Sequence, residues 1–182
     1  MEQKGGTKPS GGFMDTSVGG KTLSEYMTII KMPLMALIGL DIVSFLMGFL
    51  NYIPAIGFAF AMLNVAVGLV LFLLTLIIAG YIGYTTVKKH SGDLLSSLVA
   101  GALAGVISGV VSGVLSLISI MAGIGISPGM GSAFMMGAAL VGLIVSPIIS
   151  TIIVGIVSTI GGAVAGARTF GAPAAPQAAA KK

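Results

Sequence analysis

Four unbroken apolar runs constrain this chain more than any other feature. They cover about 34–53, 57–86, 94–123 and 132–167. Each reaches the ~20 residues that a helix needs to cross ~30 Å of hydrocarbon. The last three exceed it, so they are expected to tilt or to extend into the interface. Strands are a poor alternative: the runs lack period-two alternation, and a lipid-facing strand must belong to a closed barrel of at least about eight. The fold class is therefore all-α, a polytopic membrane protein with a bundle of four transmembrane helices. Composition agrees. Of 182 residues, 56% are apolar and 8% charged, with a mean hydropathy of +1.11, whereas soluble domains carry roughly 25% charged residues. So little charge cannot cover a protein surface in water. Lipid must be the solvent.

The basic residues set an orientation. Lys4, Lys8, Lys21 and Lys31 precede or open the first run, Lys88 and Lys89 follow the second, and Arg168, Lys181 and Lys182 follow the fourth. The two other connections, 51–54 and 124–131, carry no charge. This is the positive-inside pattern of a multi-pass cell-membrane protein with both termini cytoplasmic. The net charge of +4 thus reflects topology, and nucleic acid is not an expected partner. Residues 1–21 read as a disordered tail without the apolar core of a signal peptide. Thr22 and Glu25 form a Thr-x-x-Glu capping box that opens an amphipathic interfacial helix over 22–32, ended where Pro33 redirects the chain. The membrane domain then covers 33–167, and the Ala/Pro-rich stretch 168–182 reads as a second disordered tail.

The chain also matches itself. Shifted by 74 residues, the segment Pro54–Leu69 aligns without gaps on Pro128–Leu143, with eight identities in sixteen positions, and Gly39 falls on Gly113. Two hairpins of like orientation, related by an axis along the membrane normal, would produce this pattern. A Pro followed by small residues at a helix start would produce part of it too.

Small residues recur every fourth position in the third run: Ser97, Gly101, Gly105, Gly109 and Gly113. Beside them lies a second stripe, Ala100, Ala104, Ser108, Ser112 and Ser116. The fourth run carries Ala138, Gly142, Ser146 and Ser150, then Ser158, Gly162 and Gly166. Spanning helices are held by dispersion and close backbone approach rather than by water exclusion. Gly101, Gly105, Gly109, Gly113, Gly142, Ser146 and Ser150 are therefore the expected packing residues. The third helix against the fourth is the simplest pairing, and a face for self-association or another membrane subunit is the other.

Asp41 is the one ionisable residue deep inside a run. Its insertion costs about 2.5–3.5 kcal/mol, which apolar neighbours returning about 0.3–0.6 each can offset. It must still face protein or water. Counting 1.5 Å per residue places Asp41, Ser108 and Ser146 at one depth, roughly 18–20 Å below the uncharged side, with Asn64 nearer that side. Pro147 frees a backbone carbonyl beside them. A polar site at the midplane is the expectation. It serves either as a proton or cation site or as a hydrogen-bonded anchor of helix register.

Other signals carry less. Asp15–Thr22 imitates a phosphate-binding loop, but Asp15 stands where the first glycine belongs and no strand precedes it. The single His90, with no cysteine in the chain, supplies neither a catalytic dyad nor a metal site, and no cofactor is implied. Tyr81 and Tyr84 suit an interfacial belt. The segment from Gly80 to Gly113, a Gly-Tyr helix end, a short loop and a Gly-x-x-x-Gly helix, resembles a loose group of small uncharacterised four-span archaeal membrane proteins. That resemblance implies the four spans and brings no activity or site residue. The function expected first is non-enzymatic: a structural or accessory membrane protein packing through Gly/Ser faces, as a homo-oligomer or a subunit of a larger complex. The alternative is a small channel or proton/cation-coupled transporter centred on Asp41.

Overall fold

A computed structural model describes residues 16–50, 57–122 and 132–166. Residues 1–15 of the predicted tail 1–21, the whole of the predicted tail 168–182 and the uncharged connections lie outside the described residues. The elements are a short hairpin, β1 (Ser17–Val18) and β2 (Lys21–Thr22), followed by α1 (Leu23–Leu50), α2 (Gly57–His90), α3 (Leu94–Met121) and α4 (Ser132–Val164). All four helices are long and apolar enough to cross a membrane, and the chain is a multi-pass membrane protein. Its outward faces agree: Met32, Ile77, Ile144 and Val164 are each at least two-thirds exposed, which water would punish and lipid rewards.

The interfacial helix and the first span are one rod. Pro33 sits inside α1, buried, and does not end the helix. An internal proline forfeits one backbone hydrogen bond. Breaking the helix at the edge of lipid would strand several more groups, so continuing is the cheaper solution. Pro147 inside α4 is accommodated the same way.

Part of the expected N-terminal tail is also ordered. Residues 17–22 form the antiparallel hairpin, with Ser17 opposite Thr22 and Val18 opposite Lys21. Its turn residues Gly19 and Gly20 have φ of +59° and +76°. Two consecutive positive φ values define a type I′ turn, which only glycine enters without strain. The capping box forms directly after it: the Thr22 amide donates to Glu25 Oε2 at 2.7 Å, and the Glu25 amide donates to Thr22 Oγ1 at 3.3 Å.

The 74-residue shift reappears in the element boundaries. It carries the last residue of α2 onto the last of α4 and the first of α2 to within one residue of the first of α4. It carries both ends of α1 three residues past those of α3. The buried apolar core gathers at the lysine-bearing end, where Tyr26, Ile30, Leu34 and Leu37 of α1 meet Ala79 and Ile82 of α2 and Ala100 and Ala104 of α3, with Val154 of α4.

Candidate functional site

The glycines of α3 set how α3 meets α4. A Cβ added to Gly105 would stand 2.6 Å from the Ser150 carbonyl oxygen and 2.8 Å from the Thr151 Cα. At Gly109 it would meet Pro147 Cα at 2.5 Å and the Ser146 oxygen at 3.0 Å, and at Gly113 it would meet Leu143 Cα at 3.1 Å. At Gly101 it would collide with Ser158. Four residues forward along α3 answer about four residues back along α4, as antiparallel neighbours require. Ser146 and Ser150 take part through their backbone. Gly142 does not: a Cβ there would meet nothing within 4 Å, so this expected packing position is open. Its duplication partner Gly68 is equally open.

A second close approach, between α2 and α4, is absent from the sequence stripes. A Cβ on Gly83 would strike the Ser158 carbonyl, and one on Gly161 would strike the Gly80 carbonyl. Gly80 and Gly83 are three apart, which puts them on one helix face, and that spacing was the available signal. Hydroxyls reinforce the junction. They tie α3 into it: Ser158 Oγ donates to the Ser97 carbonyl at 2.7 Å, and Ser97 Oγ donates to the Gly83 carbonyl at 3.4 Å. Buried polar groups are tolerated here because each finds a backbone partner.

The N-terminal hairpin closes this end. Tyr26 Oη donates to the Val18 carbonyl at 2.9 Å, Ser96 Oγ donates to the Gly19 carbonyl at 3.0 Å, and Lys21 Nζ donates to the His90 carbonyl at 2.7 Å. The last bond places a cation on the C-terminal carbonyls of α2, where the helix dipole favours it. Asp93 caps α3, accepting from the Ser96 amide at 2.7 Å. Lys21 and Thr22, the residues that imitate a phosphate loop, are thus occupied by protein groups.

Toward the other end, α1 and α3 line a partly open cavity of about 240 Å³. Asp41, Ser44, Phe45 and Gly48 line it from α1, and Ser112, Leu115, Ser116 and Ser119 from α3. Asp41 is its member nearest the lysine-bearing end. There Ser108 Oγ donates to Asp41 Oδ2 at 2.6 Å, a short charge-assisted geometry. The structure therefore brings Asp41 and Ser108 together. Ser146 stays on the α4 side, its carbonyl under Gly109, and Asn64 is half-buried on α2. Neither lines the cavity. Ser44 and Ser119 went unremarked in the sequence, although each lies three residues beyond a polar member of its own face, Asp41 and Ser116.

This space is roomy enough for water: a site needs only about 10–15 Å³ on this measure to hold one molecule, given polar partners. Four hydroxyls and a carboxylate supply those partners. The arrangement can hydrate, bind or relay a small cationic species. Among the described residues no group of three His, Cys, Asp or Glu could hold a metal ion. No known family model, curated protein or solved structure matches the chain.

Proposed function

We propose that this protein is a small membrane channel or transporter that passes protons or cations along the α1–α3 cavity to Asp41. The observation that carries the reading is the cavity itself: a hydroxyl-lined space entering a membrane helix pair and ending on a hydrogen-bonded carboxylate. Ionisable groups at such depth mark ion or proton pathways by default. On the positive-inside orientation both termini are cytoplasmic in the cell membrane, so the cavity lies on the outer side of the apolar core. The hairpin and the apolar core then close the cytoplasmic half.

The glycine faces that an accessory role would use are mostly turned inward, Gly101, Gly105, Gly109 and Gly113 onto α4. One observation still favours assembly as a second reading. Gly39 and Gly68 lie in open space on α1 and α2, leaving room for a second copy or another subunit.

Flux in proteoliposomes tests the proposal. The wild-type chain should pass protons or a monovalent cation above the protein-free background, and Asp41→Asn should abolish this while keeping its helical circular dichroism. Flux at background in the wild type would overturn it. The mass of the purified particle decides the second reading.

A further inference from the structure

We infer that the Asp41 cavity is a binding site for a desolvated or partly hydrated monovalent cation, an alkali ion or a small primary ammonium. The inference rests on the proposed function and narrows it to one substrate class. Charge balance is the first argument. Among the described residues the cavity holds a single carboxylate, and every other polar side chain lining it is a neutral serine hydroxyl. One positive charge neutralises the site. A divalent ion would leave an unpaired net charge in the membrane interior, which is costly, and calcium sites ordinarily supply several carboxylates. An anion meets only repulsion.

Donor type is the second argument. Carboxylate and hydroxyl oxygens are hard ligands, and no thiolate or imidazole lines the space. A site for soft metals would look different.

The donor count separates a cation from a bare proton. A proton needs Asp41 and a water, whereas Ser44 and the α3 series Ser112, Ser116 and Ser119 add oxygens that a proton does not require. Those three α3 serines follow one another at spacings of four and three residues, so they share one face. They give a cation successive sets of oxygens along the route to Asp41, replacing the water it sheds. Ser108 lies behind the carboxylate and donates to it, which orients Oδ2 and leaves the other oxygen for the ligand.

Thermal unfolding of the purified full chain in detergent tests this, followed by circular dichroism at constant ionic strength set with N-methylglucamine chloride. Lithium, sodium, potassium, methylammonium, magnesium and calcium chlorides are the probes. One or more monovalent probes should raise the midpoint in a saturable way, by about 5 °C or more at a hundredfold excess over Kd. Asp41→Asn should erase the shift. Ser112→Ala combined with Ser116→Ala should fold normally and raise the Kd about tenfold, which keeps the test valid if Asp41→Asn fails to fold. Alkali and ammonium arms tell the two sources of charge apart. The inference is overturned if no monovalent probe acts, if a divalent probe acts more strongly, or if the shift survives the double serine variant unchanged. Flux without any cation-specific stabilisation would overturn it while leaving a proton path standing. Cation-specific stabilisation without flux would support the site and remove the transport reading.

Discussion

The two hairpins of this protein share a sequence register and differ in how they pack. In the second, Gly113 lies against Leu143 of α4. In the first, its counterpart Gly39 has nothing within 4 Å of a built Cβ. The α3–α4 pair is closed along its length by glycines over backbone. The α1 helix packs firmly only over its first half, from Tyr26 to Leu37, and beyond Asp41 gives way to a cavity. The difference teaches how two hairpins of like sequence register can divide labour in a small membrane protein. One hairpin keeps its small residues for close contact and becomes the scaffold. The other leaves the second half of α1 loosely held, and between α1 and α3 of the neighbouring hairpin lies a space lined by Asp41 and by serines of both helices.

The largest effects should come from attacking the scaffold. Gly105→Ala and Gly109→Ala each force a methyl group onto α4 backbone, and overpacking of this kind costs about 1–3 kcal/mol. Unfolding in detergent should show each loss, and a double variant near their sum. If Gly39→Ala proved as costly as Gly109→Ala, the contrast between the hairpins would be broken.

Next comes the contact that joins them. Ser108→Ala removes the hydrogen bond to Asp41 and leaves a carboxylate short of a partner, a loss of about 1.5–3 kcal/mol for a bond to a charged group. The same unfolding measurement checks it, and an unaltered midpoint would mean that the cavity water replaces the serine fully.

The hairpin ties should matter less and more locally. Tyr26→Phe deletes one bond to the Val18 carbonyl, worth about 0.5–1.5 kcal/mol. Hydrogen exchange should quicken at the described amides of 16–22 and stay unchanged across α3 and α4. Uniform quickening would show that the hairpin is part of the scaffold rather than a strap on its end. Smallest of all should be Gly39→Ala and Gly68→Ala, within about 0.5 kcal/mol of wild type. A clear loss at either would sharpen the comparison differently, by revealing a second chain on that face.

The spans were legible in the sequence because lipid leaves so few options for a backbone. The α3 stripe was legible because glycine at every fourth position has little other use. Asp41 and Ser108 could be matched by counting helical rise alone, since both helices start from the same side of the bundle. Other features depend on tertiary partners. Residues 17–22 have strands of two residues, too short for any periodicity, and their order comes from Ser96 and His90 some seventy positions away. Pro33 read as a break because its rule was learned in water, where a freed carbonyl finds a new partner easily. Gly142 fits the spacing of its stripe but stands beside the contact row, where its neighbour Leu143 lies under Gly113. The cavity is where two helices fail to pack, and no spacing rule in one helix reports that. Ser146 shows the limit of depth as a criterion: equal height in the membrane says nothing about which side of a helix a residue faces.

Thiol labelling tests the central claim most directly, because the chain has no cysteine of its own and single substitutions report cleanly. In sealed proteoliposomes, Ser112→Cys and Ser116→Cys should react with a membrane-impermeant maleimide added from the side bearing Leu50 and Met121. Val110→Cys and Val114→Cys, exposed on the outer face of the same helix, should stay unreactive in lipid. Equal protection at all four positions would mean that water does not enter between α1 and α3, and the polar path to Asp41 would not exist.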